Sequence, residues 1–125
     1  MKVLITGANG QLGRELTKQY KLQNDVELIL TDYKELDITD LSKVYEFFDK
    51  YKPEVVVNCA AYTQVDKCET DVDNAYKVNT IGPRNLAQAA NKIGCEIVQI
   101  STDYIFNGEA NTPITEFCTP DPQTV

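Results

Sequence analysis

Two runs in the chain, "KVLIT" (2–6) and "EVVVNCAA" (54–61), are apolar at nearly every position and rich in β-branched residues. A strand with one wet face alternates apolar and polar side chains, so these runs belong to a sheet buried on both faces. "VELILT" (26–31) and "EIVQIS" (96–101) supply two further strands. The intervening segments have helical spacing instead. "QLGRELTKQYK" (11–21) sets Leu12, Leu16 and Tyr20 one turn apart, and "DLSKVYEFFDKY" (40–51) turns Leu41, Val44, Tyr45, Phe47 and Phe48 inward before Pro53 ends it. Residues 71–93 carry Val72, Ala75, Val78, Leu86, Ala89, Ala90 and Ile93 on one face, with a bend expected at Gly82-Pro83 and a C-cap at Gly94. After Tyr104 the pattern fades into a loop rich in turn residues and proline.

Strands and helices in strict alternation predict an α/β architecture: a doubly wound parallel sheet with helices on both faces. In such a sheet, ligands bind beyond the C-terminal strand ends, where the strand order reverses. The 125 residues make one domain, 1–125, or one piece of a larger protein. A net charge of −7 excludes nucleic acid and an anionic membrane as partners, because both need a positive footprint. It leaves room for an anionic small ligand held by backbone amides. No apolar run approaches membrane-spanning length, and "MKVLITGANG" leads directly into a strand and a glycine turn, so a cytoplasmic protein is expected. Cys59, Cys68, Cys95 and Cys118 include no C-x-x-C pair and there is no histidine, which predicts free, mostly buried thiols and no metal site.

The chemistry concentrates where strands end. "TGANGQLG" places Gly7, Gly10 and Gly13 between the first strand and the first helix, the context in which such a triplet cradles a dinucleotide pyrophosphate. Asp32 ends the second strand, where a carboxylate bonds a ribose hydroxyl and favours NADH. Lys34 beside it suits the 2′-phosphate of NADPH, so both cofactors stay open. Asp37 is read either as an adenine-side contact or as a helix-start carboxylate. At the third strand, Cys59, Ala60 and Ala61 are small enough to let a flat cofactor cross the sheet edge. Thr63, Val65 and Asp66 follow in an open loop, and Asp66 reads more readily as an N-cap than as a catalytic group. Asn79 lies mid-helix, a poor place for asparagine unless its side chain bonds something or faces the surface.

The fourth strand ends in "STDYIFNG". Ser101 or Thr102 would hydrogen-bond a substrate oxygen, but a carbonyl reduction also needs a proton donor. A tyrosine with lysine four residues later would serve, and none of the seven tyrosines has one. Tyr104, for instance, is followed at that distance by Gly108.

"TGANGQLGREL", "NCAAYTQVDKCE", "VNTIGPRNLA" and "STDYIFNG" together resemble the extended short-chain dehydrogenase/reductases, and within them the dTDP-4-dehydrorhamnose reductase group. The resemblance covers essentially the whole chain. It implies a Rossmann-type fold, incomplete at the C-terminus, and NADPH- or NADH-dependent reduction of the 4-keto group of a nucleotide sugar. It places Gly10, Gln11 and Leu12 on the cofactor phosphates, Asp37 and Ile38 by the adenine, and Ala61, Tyr62 and Thr63 along the cofactor. Thr63 and Val65 would reach towards the sugar, and Thr102 would assist a catalytic tyrosine. Family members continue well beyond this length, and their Tyr-x-x-x-Lys would begin just after "PDPQTV". Some carry a magnesium-linked homodimer contact at the position of Glu15, but its partner carboxylates would lie outside this chain and no metal is assigned. Two other classes share the resemblance: non-catalytic dinucleotide-binding subunits like that of methionine adenosyltransferase, and nucleotide-sugar epimerases or dehydratases.

Overall fold

The computed structural model describes residues 1–125. Four parallel strands form one sheet: β1 (Lys2–Thr6), β2 (Glu27–Leu30), β3 (Val55–Asn58) and β4 (Glu96–Gln99), in the order β2-β1-β3-β4. The helices are α1 (Gln11–Tyr20), α2 (Leu41–Tyr51), α3 (Val65–Cys68), α4 (Val72–Tyr76) and α5 (Gly82–Ile93), with a π turn at Lys77–Ile81 between the last two. Successive side chains leave a strand on opposite faces, which divides the core in two. Val3, Ile5 and Val57 pack with Leu16 and Tyr20 of α1. Leu4 and Val56 pack with Val44 and Phe48 of α2 and with Leu86, Ala89 and Ala90 of α5. The sheet is therefore doubly wound, as the alternation of elements predicts. Full burial of a side chain such as Phe48 or Leu86 stabilises the fold by about 1.5–3 kcal/mol.

From β1 the chain crosses first to β2 on one side and then to β3 on the other. The order thus reverses at β1, and a crevice opens at the C-terminal ends of β1 and β3. Asp40 starts α2 by accepting hydrogen bonds from the backbone N–H groups of Ser42 and Lys43, a cap typically worth about 1 kcal/mol. Gly94 closes α5 at φ 73°, the left-handed cap expected of it.

Several expectations need correction. The third strand stops at Asn58 rather than Ala61, because residues 59–61 curl against the glycine turn. Helix 71–93 does not bend at Gly82-Pro83. Gly82 stays helical, and Pro83 falls in the first turn of α5, where its missing N–H is not needed. The irregularity lies one step earlier, in the π turn. Leu12 and Val72 face outward, 40% and 45% exposed, because each sits in the first turn of its helix, beyond the reach of the core. Val65 and Asp66 belong to the short α3 rather than to an open loop, and Asp66 lies inside that helix's first turn, so it is not its N-cap. Only Cys68 and Cys95 are buried; Cys59 is half-buried and Cys118 exposed.

The largest departure is β4. All four of its residues are exposed, although the sequence predicts a strand covered on both faces. Val98 pairs in register with Val57 and so lies on the α1 face, but α1 packs over β1 and β2 and leaves that corner of the sheet open.

Candidate functional site

The glycine turn is built by close approach. Gly7 has φ 62°, and a Cβ there would stand 2.7 Å from the Ala60 nitrogen. A Cβ on Gly13 would collide with the Gly7 carbonyl oxygen, so α1 is seated directly on the turn. Ala8 N–H donates to the Thr31 carbonyl at 3.0 Å, and Asn9 N–H donates to Asp32 Oδ2 at 3.1 Å, which ties the turn to the end of β2. What remains is at the helix start. α1 has no side-chain cap and no acidic residue in its first turn, and the Gln11 and Leu12 N–H groups have no partner. A Cβ on Gly10 would stand 3.1 Å from the Gly7 oxygen, so the turn is tight beside those amides as well. Unpaired amides, a helix dipole and a cradle that a side chain would fill are the donor set a pyrophosphate requires. The residues present fit the phosphates of a dinucleotide.

At the end of β2, Asp32 lines an open cavity of about 390 Å³ together with Asn9, Arg14, Lys18 and Glu35. The cations beside Asp32 are therefore Arg14 and Lys18, and Lys34 is not among the lining residues. Lys18 pairs with Glu15, whereas Arg14 makes no ion pair or side-chain hydrogen bond. Glu15 also accepts from Gln19, and these contacts hold its carboxyl below the usual range. Asp37 is not the cap of α2. It accepts from the N–H and hydroxyl of Thr39, while Asp40 caps α2. Ile38 is buried, with its end against Gly82.

At the end of β3, Asn58 Oδ1 accepts from Ala60 N–H at 3.2 Å. Further on, Tyr62 is held at four points. Its N–H donates to Asn79 Oδ1 at 2.8 Å, and its carbonyl accepts from Asn79 Nδ2 at 3.0 Å and from the Cys68 thiol at 3.7 Å. Its hydroxyl donates to Asp71 at 3.2 Å, and burial together with that carboxylate pushes the phenol pKa up. The mid-helix asparagine thus has its bonding partner, and the π turn presents it. Ala61, Thr63 and Val65 flank this fixed point on the solvent side.

At the end of β4, the Thr102 hydroxyl accepts from Tyr104 N–H at 3.2 Å and so caps the 3₁₀ turn Asp103–Ile105. It donates to Asp103 Oδ1 at 3.3 Å, a long bond. Breaking that contact costs little, so the proton is free to swing to another acceptor. Ser101 and Thr102 are both exposed on the same edge as the glycine turn.

Two features escaped the sequence reading. Asn85, fully buried in α5, donates to the Ile38 and Thr39 carbonyls at 3.0 and 3.1 Å and pins the lip that carries Asp37 and Ile38; its Oδ1 accepts nothing. The signal was an asparagine at an inward helical position beside Leu86. The second is a row of polar side chains, Thr6, Asn58 and Gln99, running across the strand ends.

Residues 1–125 match the family described as the RmlD substrate binding domain. The chain belongs to this family. A spore coat polysaccharide biosynthesis protein from Bacillus subtilis is 46% identical over 124 residues, 99% of this chain and 44% of that protein. The crystal structure of a dTDP-4-dehydrorhamnose reductase from Clostridium acetobutylicum superposes with a TM-score of 0.96 at 62% identity, covering 99% of this chain and 44% of the other. A dTDP-4-dehydrorhamnose reductase from Bacillus anthracis, solved in complex with NADP, gives a TM-score of 0.93 at 41% identity, covering 98% and 44%. The chain thus spans less than half the length of the relatives it matches. No helix is long and apolar enough to cross a membrane.

Proposed function

We propose that this chain is the cofactor-binding portion of a cytoplasmic enzyme that uses NADPH or NADH to reduce the 4-keto group of dTDP-4-dehydro-L-rhamnose to the alcohol of dTDP-L-rhamnose. The observation that carries the reading is the convergence on one sheet edge of the uncapped α1 N-terminus, the Tyr62–Thr63 loop and the Thr102 hydroxyl, in a chain 62% identical to a reductase of that name.

The cofactor supplies the hydride. The Gln11 and Leu12 amides would hold its phosphates, and Asp32 and Asn9 would receive the adenosine ribose. Ala60 and Ala61 leave space for the cofactor to cross. Thr63 and Val65 meet the sugar, and Thr102 turns its proton from Asp103 towards the substrate oxygen. The proton consumed in the reduction comes from an acid that these 125 residues lack, since no tyrosine has lysine four positions on.

Two measurements test this. Titration of residues 1–125 with NADPH and NADH should show saturable binding and no turnover of the keto-sugar. The full-length gene product should oxidise NADPH in proportion to keto-sugar added. Turnover by residues 1–125 alone, or failure of both chains to bind either nucleotide, would overturn the reading.

A further inference from the structure

Thr6, Asn58 and Gln99 occupy one cross-strand row at the C-terminal ends of β1, β3 and β4. Thr6 and Asn58 are 1% and 0% exposed. Their side chains form a continuous hydrogen-bond chain. The Thr6 hydroxyl donates to Asn58 Oδ1, Asn58 Nδ2 donates to Gln99 Oε1 at 2.7 Å, and Gln99 Nε2 donates to the Ile100 carbonyl at 2.7 Å.

The direction of this chain is forced. Asn58 Oδ1 must be the oxygen, because it also receives the backbone N–H of Ala60, which can only donate. That turns Nδ2 to Gln99, which in turn must present Oε1 to Asn58 and Nε2 to a carbonyl that can only accept. A fixed backbone donor at one end and a fixed backbone acceptor at the other leave neither amide a flipped alternative. Each end carries a part of the candidate site. Thr6 leads into Gly7, Ala60 is the residue against which Gly7 packs, and Ile100 precedes Ser101 and Thr102.

We propose that Asn58 and Gln99 are positioning residues: the row Thr6–Asn58–Gln99 sets the Ile100 carbonyl, and through it the Thr102 hydroxyl, at a fixed height relative to the glycine turn. Neither side chain touches substrate or cofactor in this role. The inference rests on the reductase reading, because it gives Thr102 a reacting atom to meet. The effect expected on rate is that of a small misplacement of an assisting hydroxyl, about tenfold in kcat.

Gln99 is exposed, so it can be changed without opening the core. Gln99→Glu keeps the acceptor for Asn58 Nδ2 but sets a carboxylate oxygen against the Ile100 carbonyl; Gln99→Met loses both bonds without adding charge. In residues 1–125, both variants should move the amide resonances of Ser101, Thr102 and Tyr104, leave those of β1 in place, and leave NADPH affinity within about twofold. In the full-length protein, both should lower kcat about tenfold with the cofactor's dissociation constant unchanged, a split that a merely structural role would not give. Unmoved resonances in Gln99→Glu overturn the proposal. So does an unchanged kcat, or a fall in cofactor affinity that matches the fall in kcat. A wild-type full-length protein that binds NADPH but reduces no keto-sugar would defeat the reductase reading separately. The row would then stand or fall on the amide resonances alone.

Discussion

Asn79 donates to the carbonyl of Tyr62 and accepts from its N–H, so one side chain satisfies both backbone groups of a residue seventeen positions away. The π turn makes this reach available. A wider helical turn loosens the backbone ladder and is frequent at functional sites. The consequence is a loop from Ala61 to Thr63 with a fixed backbone, although it has no regular structure of its own.

That bond pair predicts a specific loss. Asn79→Ala removes two partly exposed hydrogen bonds and should lower stability by about 1–2 kcal/mol, read by urea unfolding. It should also weaken NADPH binding several-fold, because the loop is then ordered only on binding. Asn79→Asp keeps the acceptor for Tyr62 N–H but sets a carboxylate oxygen against the Tyr62 carbonyl. It should be no better than alanine. Wild-type affinity in Asn79→Ala would show that the loop needs no clamp.

With the adenosine ribose at Asp32 as proposed, cofactor preference should turn on Arg14. Asp32 favours a ribose with free hydroxyls, and it shares its cavity with an Arg14 guanidinium that makes no ion pair within the chain. A 2′-phosphate placed there would meet that cation. Arg14→Ala should therefore raise the dissociation constant for NADPH about fivefold to tenfold and leave that for NADH nearly unchanged. Parallel fluorescence titrations with the two nucleotides measure the difference. An equal change for both would assign Arg14 to the helix surface alone.

Much of this was legible in the sequence for a physical reason. Strand and helix periodicities are set by which face is buried, so β1, α1, α2 and Gly94 could be read directly. The glycine turn was legible because close approach leaves no other residue type at Gly7 and Gly13. Where the reading went wrong, long-range contacts decided. Ala60 leaves β3 because Gly7 packs against it, and Val98 of β4 is exposed because α1 packs over β1 and β2 instead. Asn58, Asn85 and Gln99 were missed as polar residues inside apolar patterns, whose partners lie on other elements. Asn79 was suspected for that reason, but only the fold could supply Tyr62. Arg14 was missed beside Asp32 because it comes from helix α1, whereas the reading looked only along the β2 loop to Lys34.

The last prediction concerns Cys95, next to Val56 and at the edge of the larger core. Burial, with a smaller push from the neighbouring Glu96 carboxylate, raises its thiol from the ordinary 9.0 to about 11. In the unfolded chain the thiol ionises near its ordinary value, while the folded chain still holds the proton. Between about pH 9 and 11 the unfolded state therefore binds fewer protons, and stability falls as pH rises. The contribution is fully present below pH 9 and is lost by about pH 11. Other groups titrate in the same window, so the comparison is with Cys95→Ala. Its stability should be lower at neutral pH, because the sulfur's packing is gone, and should decline less steeply across the window. Urea midpoints taken at intervals from pH 8 to 11 give both slopes. Parallel slopes would mean that the folded thiol ionises as freely as the unfolded one.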